Sequence, residues 1–339
     1  MTLVLAIESS FDDTGIAFLD EKSRVAFSAV SSSVELHAPY GGVVPEIAAR
    51  DHMRNLPLMF REAIYRKNDL LENVTAIGVT RGPGLPGCLL AGVGFARGLK
   101  LALSVPLYGL NHLEGHLFSP FFGASLSELS FPFIGLVVTG GNTALYLVKD
   151  VGSTELLGWT LDDAAGELFD KIAFKLGLGY PGGKRIEEFA SMVSEDAIPK
   201  ELDLPVPMRD ASDLCFSYSG LKTSALRLIR RLSITRDSSL LPHFCSSLSR
   251  SVWESLWLKI YDATQLTGIK VTAISGGVSA NRLFRNYLTQ KASATGISIT
   301  FPEPRLCTDN AEMMAYLLLL KLQKGPFAEE EFDIDANLI

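Results

Sequence analysis

The chain has 339 residues, 47% hydrophobic and 20% charged, which excludes a disordered protein and is long enough for two lobes with cores of their own. Its net charge of −7 excludes nucleic-acid binding by bulk attraction, though not by a local basic stripe. Four cysteines, Cys88, Cys215, Cys245 and Cys307, lie far apart with no C-x-x-C pair, which excludes a zinc ribbon or disulfide framework and fits reduced thiols.

In chain order, Leu3 to Glu8 reads as an apolar strand and Ile16 to Leu19 as a second, so the chain opens on a hairpin. Its turn, Ser9-Ser10-Phe11-Asp12-Asp13-Thr14-Gly15, is filled with carboxylates and hydroxyls. That composition suits either an ordinary turn or one that faces a phosphate and a cation. No basic or Arg/Ser-rich leader precedes the first strand, and no apolar run reaches the roughly 18 residues of a membrane span. A cytoplasmic protein without membrane association is expected; a matrix protein trimmed of its transit peptide would read alike.

Pro45-Glu46 starts a helix whose apolar positions Leu56, Met59, Phe60, Ala63 and Ile64 recur at helical spacing, while Arg50, Arg54, Arg61 and Arg66 line the other face. Val74 to Thr80 is a buried-type strand. The run Gly82-Pro83-Gly84-Leu85-Pro86-Gly87 then opens a long helix, and its glycines fit either tight packing or an anion at the helix start. It is not a Walker A loop, because Cys88 and Leu89 stand where Lys and Ser/Thr are needed.

After a short strand at 105–110 comes His112-Leu113-Glu114-Gly115-His116. Two imidazoles four residues apart share one helix face and can reach one ion. In H-E-x-x-H the Glu beside the first His acts as general base, but here Glu114 lies about 200° around the helix from His112. The pattern reads as a metal-binding helix that lacks a protease base.

Phe133 to Val138 and Ala144 to Val148 are strands joined by Thr139-Gly140-Gly141-Asn142-Thr143, which repeats the plan of residues 3–19. The repeat is the sign of a duplicated lobe with nucleotide phosphates held between the halves. Asp162 to Glu167 concentrates acid at the start of a helix, as the macrodipole prefers, with Asp170 and Lys171 one turn on. Gly177 to Gly183 reads as a glycine-dense loop. Phe216 to Thr223 precedes a helix bearing Arg227, Arg230 and Arg231, with Arg236 just beyond it. Val271 to Ile274 leads through Ser275-Gly276-Gly277 to Asn281 and a helix from Arg282, where Asn281 can meet ribose or base. Asp309 stands before a helix from Ala311 to Leu322. It is either an N-cap or the carboxylate of a two-His, one-acid metal site.

Taken together, ESSFDDTG, GGVVPEIAAR, GPGLPG, HLEGH, VVTGGNT, DDAAGELFDK, GLGYPGG, FSYSGLKT, SGGVSANR and LCTDNAEM cover the whole chain. They resemble, in order, the universal tRNA threonylcarbamoyltransferase family. The resemblance implies an α/β, actin- and hexokinase-like (ASKHA) fold of two duplicated lobes with a nucleotide- and metal-binding cleft between them. The first lobe would span 1–109, completed by a C-terminal helix at about 310–324, and the second 110–309. The activity implied is transfer of the threonylcarbamoyl group from threonylcarbamoyl-AMP to N6 of adenosine 37 in tRNAs reading codons that begin with A.

By the same resemblance, His112, His116 and Asp309 would hold one divalent metal per subunit, Fe(II) foremost and Zn(II) as the alternative. Val137, Val138, Thr139, Gly140, Gly141, Asp170, Gly183 and Asn281 would bind the adenylate, so that ATP or ADP analogues would bind too. Asp12 or Asp13 would sit near the acceptor amine. Partners implied are tRNA with either an ASKHA paralogue and a small ATPase, as in bacteria, or a second copy of the chain, as in mitochondria. Phe11 where Cys is common, Asn142 for His, and Lys184 for Pro depart from the family pattern. A metalloprotease lacks its base here, a small-molecule kinase has no need of the His pair, and a non-catalytic paralogue would lack it.

Overall fold

The computed structural model describes residues 2–194, 197–325 and 331–338. The chain divides into two compact units, Met1–Ser130 with Pro302–Ile339, and Phe131–Phe301.

In the first unit, β1 (Leu3–Glu8), β2 (Asp13–Asp20) and β3 (Val25–Ser32) form an antiparallel meander, followed by α1 (Val34–His37), α2 (Pro45–Arg66) and α3 (Leu70–Asn73). β4 (Val74–Gly82), α4 (Pro86–Leu103), β5 (Leu107–Asn111) and α5 (His112–Phe118) follow, and the strand order is β3-β2-β1-β4-β5 with β4 and β5 parallel to β1. Near-continuous apolar runs in β1 and β4 reflect burial on both faces. One face presents Leu5, Ile7, Ile16, Phe18, Ile77 and Val79, which form a core with Leu56, Met59 and Ala63 of α2 and Val93 and Ala96 of α4. The other face presents small residues: a Cβ on Gly78 would lie 3.2 Å from Leu318, and one on Gly15 only 2.8 Å from the Ala311 nitrogen. Small residues there let the start of the C-terminal helix press against the ends of β1 and β2.

In the second unit, β6 (Phe133–Val138), β7 (Thr143–Asp150) and β8 (Ser153–Trp159) form the meander. They are followed by α6 (Ala165–Lys175), α7 (Gly182–Ala190), α8 (Ser219–Arg231), α9 (Leu241–Thr267), β9 (Val271–Ser275), α10 (Arg282–Thr295) and β10 (Ser298–Thr300). Its strand order, β8-β7-β6-β9-β10, repeats that of the first unit. The core gathers Ile134, Leu136, Phe216, Phe244, Trp253, Ile274 and Phe284. α9 is buried along most of its length, and three of its buried polar side chains reach backbone carbonyls of the preceding segment. Ser247 Oγ donates to Leu202 O at 2.6 Å, Ser251 Oγ to Leu204 O at 3.1 Å, and Lys259 Nζ to Asp213 O at 2.7 Å.

The compact units divide at 130/131, not at the expected 109/110. The reason is local: β5 completes the first sheet beside β4, and α5 packs on α11 (Ala311–Lys324), which returns the chain to the first unit. Two expectations about helices also change. Gly182 and Gly183 are the first turn of α7 and not a loop. α4, at 18 residues, does have the length and apolar composition of a membrane span. It nonetheless carries Arg97 and Lys100 and lays Val93, Ala96 and Leu99 into the core shared with β4 and α2, as a sheet-covering helix does.

Candidate metal centre and glycine-turn site

α5 begins where β5 ends. Asn111 caps it, accepting from Leu113 N at 2.8 Å and Glu114 N at 3.1 Å, so the helix starts on His112. Gly115 permits close approach to α11, since a Cβ there would lie 2.5 Å from Met314 Sδ. The N-cap of α11 is Asn310, which accepts from Met313 N at 2.9 Å. Asp309 is therefore not the cap, and its carboxylate faces the histidines: Oδ1 is 3.0 Å from His116 Nε2 and 3.5 Å from His112 Nε2.

The two rings stand edge to face, 4.7 Å apart at 87°. The ligand atoms of His112, His116 and Asp309 all lie within 4.8 Å of one another. Metal bonds of about 2.1 Å at tetrahedral angles set donor atoms about 3.4 Å apart, so the spacing fits one cation. His112 Nε2, the nitrogen that faces Asp309, is buried without a hydrogen-bond partner, as a nitrogen left open for a cation is. Two imidazoles and one carboxylate with further positions open suit iron or zinc.

Electrostatics here favour positive charge. Burial works against a proton on His112, but Asp309 and Glu8 outweigh it and raise its pKa to about 10. Burial and the neighbouring charge of His112 lower His116, and Asp309 is held far below the usual carboxylate range by both histidines despite its burial. Glu114, buried and turned away, pairs with Lys321 at 2.7 Å. It is tied to α11 and is not placed as a protease base.

The β1–β2 turn lies beside this cluster. Phe11 packs edge-on to the His112 ring at 5.4 Å. Asp13 is raised to about 6, first by burial, with the charges of Asp309 and Glu8 adding and a Ser32 hydrogen bond opposing. Its Oδ1 is buried without a hydrogen-bond partner. Asp12 is half-buried, and its backbone O accepts from Ser33 Oγ at 2.7 Å. His52 was not expected to matter. Its pKa is lowered by burial, and it donates from Nε2 to Phe11 O at 2.8 Å while Nδ1 takes Thr14 Oγ1 at 2.7 Å. Only a ring in contact across 38 residues could pin the turn in this way, and no periodicity announces it. The Gly82–Gly87 run serves packing: a Cβ on Gly84 would lie 2.6 Å from Ser10 O, and Leu85 N donates to that oxygen at 2.8 Å.

The residues expected to bind adenylate fall in the second unit. Val137 and Val138 bury their side chains completely in β6, so only their backbone is available to a ligand. Thr139 Oγ1 accepts from Gly141 N at 3.2 Å and Asn142 N at 2.9 Å, which shapes the turn. The start of α6 seats against it, since a Cβ on Gly166 would lie 2.5 Å from Thr139 O. Gly276, at φ +91°, closes on Val138 O, which a Cβ would meet at 2.3 Å. Asn281 caps α10, accepting from Phe284 N at 2.9 Å, so its Oδ1 is engaged.

Asp170 Oδ1 accepts from Gly182 N at 2.6 Å and is raised to about 6 by burial, with the Gly182 and Gly183 amides opposing. It thus joins α6 to the start of α7. Gly140 and Gly183 have open space where a Cβ would be. Asp162 does not serve its own helix. It accepts from Ser217 Oγ, Tyr218 N and Ser219 N at 2.5, 2.7 and 3.1 Å, at the start of α8. Asp163 pairs with Lys171 at 2.7 Å and with Lys222.

A sheet of meander plus two parallel strands, repeated in two units, defines the actin- and hexokinase-type (ASKHA) fold class. A solved HypF from T. kodakarensis shares that fold at 16% identity and a TM-score of 0.58, over 95% of this chain and 48% of that one. The family model of tRNA N6-adenosine threonylcarbamoyltransferase matches residues 24–316. Proteins of that name from Geotalea uraniireducens and Ralstonia pickettii are 41% and 42% identical, over 98% and 96% of this chain and 95% and 92% of theirs. The chain belongs to the tRNA N6-adenosine threonylcarbamoyltransferase family, and is a transferase.

Proposed function

We propose that this chain transfers the threonylcarbamoyl group from threonylcarbamoyl-AMP to N6 of adenosine 37 in tRNAs reading codons that begin with A. The observation that carries this reading is the convergence of His112, His116 and Asp309 within 4.8 Å, in a chain about 41% identical to enzymes of that name over nearly its full length. In this reading His112, His116 and Asp309 hold one divalent metal, Fe(II) foremost and Zn(II) as the alternative. Bound there, the metal would supply positive charge to orient and polarise the adenylate's acyl group.

The substrate is an activated mixed anhydride, so the remaining work is positioning and proton management. The Thr139–Asn142 and Gly276–Asn281 turns and the start of α7 offer backbone N–H groups to the phosphate and ribose. Gly140 and Gly183 have open space through which a ligand can approach the backbone, Asn281 keeps its Nδ2 beside its capping Oδ1, Thr139 Oγ1 holds the Gly141 amide in the turn, and Asp170 orients the start of α7. Asp13, with its pKa near 6, is ionised at neutral pH and suited to take the proton the amine releases. Asp12 is the alternative acceptor. A cytoplasmic setting and tRNA as macromolecular substrate belong to this reading, as does help from an ASKHA paralogue with a small ATPase, or from a second copy of the chain.

The test is transfer of labelled threonine from threonylcarbamoyl-AMP to unmodified tRNA, by the chain alone and with those partners. Transfer that is lost in H112A/H116A supports the reading. Silence with every partner present, or a double variant as active as the wild type, overturns it.

A further inference from the structure

One fully buried carboxylate has no part in the reading so far. Glu8, the last residue of β1, is 0% exposed, in a position where an ionised side chain is costly unless every lone pair is engaged. Its Oε1 accepts from Ser10 N at 2.6 Å, and its Oε2 accepts from Thr80 Oγ1 at 2.5 Å. The same Oε2 lies 3.2 Å from His112 Nδ1, and Ser10 Oγ lies 3.1 Å from that nitrogen. On the far side of the ring, His112 Nε2 faces Asp309 at 3.5 Å with no hydrogen bond of its own. Every polar atom that Glu8 meets is a donor, and both its oxygens accept.

The geometry points to Glu8 as the positioning residue of the metal centre: it holds the proton on His112 Nδ1, and so keeps the Nε2 lone pair aimed between His116 and Asp309. Thr80 and Ser10 fix the carboxylate in turn, which anchors the ring to β1 and β4 of the sheet and not only to its own short helix. Metal-bound histidines are commonly oriented through their second nitrogen in this manner, and loss of the partner commonly costs 10- to 100-fold in metal affinity. The inference rests on the metal reading of His112, His116 and Asp309 and deepens it.

Gln is the informative replacement. It keeps the size of Glu8 but has one acceptor oxygen, so it cannot serve Ser10 N and the His112–Thr80 side together. If its amide nitrogen turns to His112, the ring proton moves to Nε2 and the ligand lone pair is lost. The experiment is Zn(II) affinity of the metal-free full chain by competition with a chromophoric chelator, together with the visible absorption of the Co(II)-loaded chain. E8Q is expected to bind Zn(II) 10- to 100-fold more weakly and to shift the Co(II) bands, while its circular dichroism stays that of the wild type. Thr80→Val is expected to weaken Zn(II) several-fold and Thr80→Ser to restore it, which carries the test should E8Q not fold. Wild-type affinity and spectra in E8Q, or in T80V where E8Q is not folded, overturn the role of Glu8 and leave the metal centre standing. Failure of the wild type itself to bind Zn(II) or Co(II) overturns both.

Discussion

The two units repeat one sheet, yet the turn after the first strand is built from opposite chemistry. In the first unit that turn follows Glu8 and carries Asp12 and Asp13, and the neighbouring helices bring two imidazoles and Asp309. In the second it follows Val138 and carries Thr139, Gly140 and Gly141, while nearby carboxylates are spent on backbone, Asp162 at the start of α8 and Asp170 at the start of α7. The first arrangement gathers carboxylates around two imidazoles and suits a cation. The second leaves N–H groups and open backbone, which suit an anion. The shared fold sets where a site forms, at the end of the first strand, and the residues placed there set what it takes.

The largest test of this contrast is to remove the proposed cation ligands. H112A/H116A takes away two of three donors and is expected to lose metal by more than the roughly 100-fold that an outer partner costs. Metal content after dialysis measures it. Unchanged content would place the cation elsewhere and remove the distinction between the units.

Next comes the closeness of the second unit's turns. Gly276 sits at φ +91° with Val138 O 2.3 Å from where a Cβ would be. Gly276→Ala is expected to cost about 2–4 kcal/mol, read as a fall in the urea midpoint. A midpoint at the wild-type value would mean that the turn has room to relax.

A smaller effect separates the carboxylates by pH. Asp170 is raised from 3.8 to about 6 in the folded protein, so the native state binds the extra proton between those values. Stability from this group is therefore greatest below about pH 4 and is lost as pH rises through about 6. Asp170→Asn removes that falling limb and is expected to gain about 2–3 kcal/mol relative to the wild type between pH 4 and 7. Denaturant midpoints across that range would show it, and parallel curves for the two proteins would contradict the assignment.

The smallest effect expected is at Lys184, in the first turn of α7, where a missing N–H costs little. Lys184→Pro should change stability by less than about 1 kcal/mol in either direction. A larger loss, seen as a depressed thermal midpoint, would show that this turn needs the lysine's own amide.

The strand-turn-strand repeats, the buried face of α2 and the His112–His116 spacing were all legible in the linear order of residues. Each depends on contacts within a few positions, where periodicity speaks directly. β3 and β8 were not, because edge strands rich in Ser, Ala and Glu carry little hydrophobic alternation. α9 escaped too: five of its buried residues are serines, and the partners of Ser247 and Ser251 lie 45 and 47 residues upstream.

For the site, family motifs pointed to residues but not to their work. Asp309 is freed for the histidines because Asn310 takes the capping role, and Asp162 serves a helix 56 residues away. By itself, then, the sequence determined the fold class, the family and the three candidate ligands, since strand runs, helical spacing and motif order are local properties. Tertiary structure decided the boundary at 130/131, the pinning of the first turn by His52 and the burial of Glu8 behind His112. Those depend on which distant surfaces meet, and a linear pattern does not encode them.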